Sequence, residues 1–116
     1  MFRFEELEIW KAAIAYGKHC YQVAEKFPAE ERFALADQLR RASVSISNNI
    51  AEGSVGSSQN FKRFLIIAVG SALETANILY FAEEMGYIGS EERAALYLEA
   101  ETLIKRIRSF SNSFAK

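Results

Sequence analysis

Amide and carboxylate side chains follow an apolar helical pattern within residues 45–58, SISNNIAEGSVGSS. Asn48 and Glu52 are four residues apart and share a helix face, whereas Asn49 continues the apolar line that ends at Gly53. Glu52 falls in the last helical turn, where the helix dipole disfavours a negative charge, so it requires a partner. We expect Glu52, with Asn48 or Asn49, to accept hydrogen bonds from the start of the next helix or from its serines.

A second carboxylate, Glu74, lies within the most apolar stretch of the sequence, residues 64–82. A buried carboxylate without a partner is strongly unfavourable, so we expect Glu74 to bond to a polar group such as Asn49 or Ser45. These residue types favour a structural polar cluster over a catalytic site, and the cluster consists of Asn48, Asn49, Glu52 and Glu74.

The residue patterns of common metal and nucleophile sites are missing from the sequence. The single histidine, His19, has Tyr16 three residues before it, which excludes the Glu-x-x-His pairs of ferritin-like di-iron sites. His19 and Cys20 are adjacent, so on a helix they do not face each other, and Cys20 is interpreted as a small core residue. No Walker loop or dinucleotide-binding glycine pattern is present. We therefore expect a protein that is not an enzyme, with no catalytic residue, metal, cofactor or small-molecule substrate.

The charge balance allows only a local site for nucleic acid. Lys and Arg number 14, Asp and Glu number 15, and a net charge of −1 gives no overall attraction to polyanions. The alternative for each cation is an ordinary solvated side chain, and Arg40 or Arg41 has Asp37 within reach on the same helix. The candidate contacts to RNA or DNA are Arg40, Arg41, Lys62, Arg63, Lys105, Arg106 and Arg108.

The single cysteine and the amino-terminal residues favour a cytoplasmic protein. One cysteine permits no disulfide within the chain and fits a reducing compartment. The start, MFRFEELEIW, is rich in glutamate and is not expected to be a signal peptide. Polar residues, Glu74 among them, interrupt the apolar stretch, so we interpret it as a buried helix rather than a membrane span.

Four helices of roughly 23 to 28 residues each must position these side chains. Apolar residues recur every three or four positions, and one proline and six glycines leave few breaks. Short connections make consecutive helices antiparallel, which predicts an all-α, up-down-up-down four-helix bundle as a single domain, 1–116. The predicted helices run from about Phe4 to Lys26, from Pro28 to Gly53, from Ser57 or Ser58 to Met85, and from Ser90 onward.

The third helix is apolar on nearly every side, which is more than one bundle interface covers. The surplus indicates self-association, because large apolar patches mark interfaces. The alternative is a wide core stripe with a few exposed aliphatic side chains. The predicted interface consists of Ile66, Val69, Leu73 and Tyr80.

Residues 39–74, LRRASVSISNNIAEGSVGSSQNFKRFLIIAVGSALE, contain the motifs S-I-x-x-N-I-A-E-G and F-x-R-F-L-x-I-A-x-G-S-x-x-E. With FEELEIWKAA and MGYIG elsewhere, they resemble the S23-type proteins encoded in intervening sequences of bacterial 23S ribosomal RNA genes. The resemblance implies an antiparallel four-helix bundle and a ring-like homopentamer. Relatives usually carry a basic residue in the loop after A-E-G, whereas here the first cation after Gly53 is Lys62.

The resemblance leaves two functions open, because no biochemical role is established for the intervening-sequence proteins. Accessory proteins of diversity-generating retroelements are similar pentameric bundles that bind nucleic acid through basic surfaces. The first hypothesis is therefore an oligomeric, non-enzymatic bundle that contacts RNA or DNA. The second is a protein-interaction scaffold without nucleic-acid contact.

Overall fold

The chain folds into four α-helices, seen in a computed structural model that describes residues 1–114. Two short 3-10 helices, Arg3–Glu6 and Ala29–Glu31, precede the first and second α-helices. Residues 1–114 contain no β-strand. The prediction of an all-α four-helix fold is confirmed, with helices α1 (Glu8–Ala24), α2 (Leu35–Gly53), α3 (Ser58–Glu84) and α4 (Ser90–Asn112).

The first two helices are shorter than the apolar spacing predicts. Leu7 has an extended backbone (φ −81°, ψ 127°) and separates the 3-10 turn around Phe4 from α1. Pro28 is also extended (ψ 156°) and begins a 3-10 turn instead of the predicted helix. Ala34 (φ −121°, ψ −104°) then interrupts the helical backbone before α2. As a result, α1 has 17 residues and α2 has 19.

The turns at both ends of α3 follow the predicted signals. Ser57 caps the start, because its hydroxyl oxygen accepts a hydrogen bond from the Asn60 backbone N–H (3.1 Å). After the helix ends, Gly86 has a φ of +79°, a left-handed conformation that favours glycine. α4 begins at Ser90, as predicted.

Contacts between helix ends establish an antiparallel, up-down-up-down bundle with a long dimension of 46 Å. Arg93, near the start of α4, donates through Nε to Glu83, near the end of α3 (2.7 Å). Lys26, just after α1, pairs with Glu92 in the first turn of α4. α1 and α3 each pack against both α2 and α4, which gives the square arrangement of a four-helix bundle.

The close contact between α2 and α3 depends on Gly53. A Cβ added at this glycine would lie 2.7 Å from Phe64 Cβ and 2.8 Å from Phe61 Cδ1. Both distances are shorter than van der Waals contact, so a side chain at this position would push the two helices apart. Phe61 is buried, and its ring also meets the Phe110 ring on α4 at a centroid distance of 5.5 Å. Gly53 therefore ends α2, as predicted, and also determines how closely α3 packs.

By length and composition, α3 is apolar enough to cross a membrane, with a mean hydropathy of 1.7 in its most apolar window. Half of that window is buried inside the bundle, and core helices of soluble proteins pass the same test.

A buried pair of hydroxyl groups joins α1 to α3 across the centre of the bundle. Tyr16 Oη and Thr75 Oγ1 are 2.7 Å apart, and Thr75 also donates to the Ala72 carbonyl oxygen (2.6 Å). Neither side chain is accessible to solvent, and burial raises the pKa of the Tyr16 hydroxyl far above its ordinary value. Because buried polar groups require partners, this pair fixes how α1 and α3 face each other.

We expect Thr75→Val to lower the free energy of unfolding by about 1–3 kcal/mol, because it removes a hydrogen-bond partner from the buried Tyr16 hydroxyl. Urea denaturation followed by circular dichroism measures this change. Thr102→Val is the matched control, because Thr102 is exposed and makes no side-chain hydrogen bond within residues 1–114. It should change stability by less than about 0.5 kcal/mol. Equal effects of the two substitutions would contradict a structural role for the buried pair.

We expect Gly53→Ala to destabilise the bundle by about 1–3 kcal/mol, because the added methyl group overlaps Phe61 and Phe64. Gly17→Ala is the control within another helix, since its added Cβ would meet only Ser43, at 3.9 Å. Removing a glycine from a helix interior is otherwise favourable by about 0.5–1 kcal/mol, so Gly17→Ala should stabilise the protein. Thermal unfolding measures both, and stabilisation by Gly53→Ala would be the contrary result.

Candidate functional site

A chain of three polar side chains joins α2 to α3. Asn49 is half-buried and donates through Nδ2 to the Ser45 carbonyl oxygen (2.7 Å) and to Ser45 Oγ (3.1 Å). Ser45 Oγ is in turn 2.8 Å from Ser71 Oγ on α3. The polar connection expected near Asn49 therefore exists, but serine hydroxyls carry it, and it holds no ionised group.

The two carboxylates of the predicted polar cluster do not take part in the observed chain of polar side chains, so this part of the prediction is wrong. Glu52, Glu74 and Asn48 are exposed, and none of their side chains makes a hydrogen bond or ion pair within the described residues 1–114. Water solvates both carboxylates, which removes the need for a buried partner. The start of α3 is instead capped by Ser57, and the partner of Ser45 is Ser71, three residues before Glu74.

Two of the seven candidate cations lie in the first half of α2 and are already paired. Arg41 Nε lies 2.8 Å from Asp37 Oδ2, and Arg40 Nη2 lies 3.8 Å from Asp37 Oδ1. Arg40 also donates to the Arg32 carbonyl oxygen (2.8 Å). The predicted pairing with Asp37 is confirmed, and these two arginines are poorly placed to attract another anion.

The other five candidate cations lie at the start of α3 and in the second half of α4, toward the opposite end of the bundle. The start of α3 lies beside the end of α4, as shown by the Phe61 ring, whose centroid is 5.3 Å from that of Phe114. Lys62 is half-buried and the other four are exposed, and none forms an ion pair with a residue in 1–114. We call this group the cationic end, and it consists of Lys62, Arg63, Lys105, Arg106 and Arg108.

The segments that carry the cationic end contain no carboxylate. Neither residues 58–73 of α3 nor residues 102–114 of α4 include Asp or Glu. The carboxylates at this end belong to α2 and to the region around the start of α1, namely Glu5, Glu6, Glu8 and Glu52. The local charge is therefore positive on the α3–α4 side, although the chain as a whole is nearly neutral.

Three of the four predicted interface residues are exposed on α3. Ile66 is 71% exposed, Leu73 54% and Tyr80 45%, and each apolar surface faces solvent in the protomer. Val69 is 8% exposed and belongs to the core of the protomer, which leaves little of its side chain for the predicted interface. It lies on the side of α3 that packs against α4, because it lines the same cavity as Ile107.

The sequence interpretation missed two further exposed apolar residues on α3. Ile67 is 52% exposed and Phe81 is 56% exposed. Each follows directly after a predicted interface residue, so they lie on an adjacent side of the helix. On a helix that is apolar all round, periodicity alone does not distinguish these positions from core positions.

Grooves run along both exposed sides of α4. On the α3 side, cavities of about 120 Å³ and 220 Å³ share Arg108, and their linings include Ile66, Leu73 and Lys105. On the α1 side, a cavity of about 470 Å³ is lined largely by small and polar residues, with Leu98 exposed at its edge. Both grooves are open to solvent and are shaped for contact with a surface rather than for enclosing a small molecule.

His19 and Cys20 do not form a pair of base and nucleophile. His19 is exposed, as expected, and its Nδ1 lies 2.8 Å from Glu99 Oε1 on α4. Cys20 is buried, as expected, and desolvation raises the pKa of its thiol to about 12, so the thiol is protonated at neutral pH. Within residues 1–114, no group of three or more His, Cys, Asp or Glu side chains is placed to hold a metal ion.

Comparison with a known structure agrees with this architecture. The fold is similar to the crystal structure of a protein with unknown function from the S23 ribosomal protein family of Bacteroides thetaiotaomicron. The TM-score is 0.82 at 21% sequence identity, over 90% of this chain and 99% of the other. At this identity the similarity establishes the fold alone. No curated protein matches the chain.

A family model described as 23S rRNA-intervening sequence protein matches residues 5–109. Neither this description nor that of the similar structure names an enzymatic activity. Because the match covers most of the chain, including α1 to α3 and the greater part of α4, the protein belongs to the family of 23S rRNA-intervening sequence proteins.

Proposed function

We propose that this protein is a non-enzymatic bundle that assembles with copies of itself and binds RNA or DNA through the cationic end. The observation that carries the proposal is the segregation of charge along α3 and α4. Five cations without ion pairs within residues 1–114 lie on two adjacent helix segments that contain no carboxylate. Such a local patch attracts phosphates even when the net charge is −1.

The distance between the two ends of the bundle supports this local attraction. The bundle is 46 Å long, whereas electrostatic interactions in solution are screened over about 8 Å at physiological ionic strength. The glutamates near the α3–α4 turn, including Glu84 and Glu91, lie several screening lengths from the cationic end. Their repulsion of a nucleic-acid backbone at that end is therefore weak.

Self-assembly would multiply the cationic end. The exposed apolar residues of α3 favour assembly, because covering Ile66 and Leu73 removes apolar surface from water. In the homopentameric ring that the resemblance implies, the five cations would recur in every subunit. Phosphate contacts add up along a polyanion, so a repeated patch binds far more tightly than a single one.

The absence of enzymatic activity is part of the proposal. The protonated Cys20 thiol is a poor nucleophile, and its buried position leaves no room for a substrate. His19 lies at the surface and is paired with Glu99, and this pair includes no nucleophile. This arrangement lacks the nucleophile, base and orienting group that acyl or phosphoryl transfer requires.

The second candidate is a protein-interaction scaffold without nucleic-acid contact. The groove between α1 and α4 favours it, because the exposed Leu98 lies beside Ala12 and Ala15 in a cavity of about 470 Å³. A protein partner bound there by apolar contacts would show little dependence on salt. Binding to RNA or DNA would weaken steeply as salt increases.

We expect Lys62→Glu/Arg63→Glu to weaken binding to a short mixed-sequence single-stranded RNA, and to a duplex DNA of equal length, by more than about tenfold. Fluorescence anisotropy across a salt series measures the affinity. The slope of log affinity against log salt should become shallower by the amount that corresponds to roughly two phosphate contacts, because two phosphate-binding charges are lost.

The control is Lys18→Glu/Arg32→Glu, which changes the net charge equally through two exposed cations outside the cationic end. It should alter affinity by less than about threefold, because exposed charges beyond a screening length contribute little. Equal losses from both double variants, or binding that is insensitive to salt, would contradict the proposed site.

A further inference from the structure

The solvent-facing side of α3 carries two parallel lines of side chains, each with a spacing of seven residues. The first line consists of Ile66, Leu73 and Tyr80, and the second of Ile67, Glu74 and Phe81. Residues seven apart on an α-helix lie almost above one another, and consecutive residues are rotated by about 100°. The two lines therefore face different directions on the same helix.

The first line borders the groove between α3 and α4. Ile66 and Leu73 each line one of the two cavities that share Arg108. Tyr80 closes the far end of this groove, where its ring packs edge to face on Tyr97 at a centroid distance of 5.8 Å. The groove thus has apolar walls, with Arg108 at its middle and Lys105 at its rim.

The second line lies on the α2 side of α3. Phe64 and Ser71, which precede Ile67 and Glu74 by three residues, contact Gly53 and Ser45 of α2. Ile67 and Phe81 are both more than half exposed, and the exposed Glu74 lies between them. This surface is apolar at both ends and carries one carboxylate in the centre.

The two surfaces are complementary in charge as well as in apolar character. Arg108 and Lys105 give the groove two cations against one carboxylate, Glu101, and Arg108 makes no ion pair within residues 1–114. Glu74 likewise has no ion-pair partner there. On its own side of α3 the cation Arg63 lies three turns away, and on the neighbouring α2 Arg41 is already paired with Asp37. A carboxylate that is covered by an apolar surface requires a cation within that surface.

We propose that the occupant of the α3–α4 groove is a second copy of this chain, which inserts its Ile67, Glu74 and Phe81. Glu74 then forms an ion pair with Arg108 of the partner subunit, while the two apolar side chains cover the groove walls. This inference rests on the self-assembly in the proposed function and specifies its contact. Lys62, Arg63 and Arg106 do not line this groove and stay available for phosphate.

The charges require two different faces to meet at this interface. If two copies met through their grooves about a twofold axis, Arg108 would face Arg108. If they met through their second lines, Glu74 would face Glu74. Contacts between unlike faces close into a ring when the angle between the faces suits a regular polygon.

Charge reversal with compensation tests this contact. Glu74→Lys and Arg108→Glu each place like charges across the interface and should weaken assembly about a hundredfold, measured by sedimentation equilibrium over a range of protein concentrations. The double variant Glu74→Lys/Arg108→Glu restores opposite charges and should assemble within about tenfold of the unmodified protein. Mixing the two single variants should also produce assemblies that neither forms alone.

Arg106→Glu is the matched control, because Arg106 is exposed on the same helix but lines the cavity on the α1 side. It should change the dissociation constant by less than about threefold. All substituted residues are exposed, so circular dichroism and urea midpoints should show an intact fold in every variant.

The outcomes separate this contact from the proposed function. Assembly of the unmodified chain that responds equally to all three single variants would overturn the Glu74–Arg108 contact while leaving self-assembly in place. Dimers as the largest species would overturn the ring of unlike faces. A chain that stays monomeric at every concentration, or assembles only when RNA is added, would overturn both the contact and the proposed self-assembly.

Discussion

The rotation of α3 about its own axis is the constraint on which the rest of the structure depends. Gly53 lets the α2 backbone approach Phe61 and Phe64, and three turns further along the same side of α3 the Tyr16–Thr75 pair ties the helix to α1. A rotation by one residue, about 100°, would bury Glu74 and expose the core. Because α3 is apolar nearly all round, burial of apolar area alone selects no orientation. The selection comes from one missing side chain and one buried hydrogen bond.

The regular parts of the fold are predictable because local signals encode them. Gly86 marks the end of α3 through its left-handed backbone, and Arg41 lies one helical turn from Asp37. The early boundaries near Phe4 and Pro28 are not predictable in this way, since apolar spacing continues through residues that adopt 3-10 turns. Tertiary packing decides those boundaries.

The sequence pattern also does not predict which individual side chains of α3 are buried. Val69 and Ile66 are both aliphatic and three residues apart, yet one is a core residue and the other is the most exposed aliphatic side chain of the helix. Glu74 was expected to need a buried partner because its sequence neighbours are apolar, but it faces solvent in the protomer. In the proposed assembly, the apolar neighbours of Glu74 belong to the face of α3 that inserts into the second copy. Net charge also conceals that Arg41 and Arg93 are paired with carboxylates whereas the five cations of the cationic end are not, because only the sum of the charges enters it.

The alanine-lined cavity between α1 and α4 makes this seam the least extensively packed of the four helix pairs. Amide hydrogens exchange fastest where few apolar contacts hold an element in place. The order of exchange protection should therefore run from α1 and α4, which share this seam, to the α2–α3 pair. Since α2 and α3 are also joined by a short turn, they form a hairpin of local contacts suited to serve as the folding nucleus onto which α1 and α4 dock.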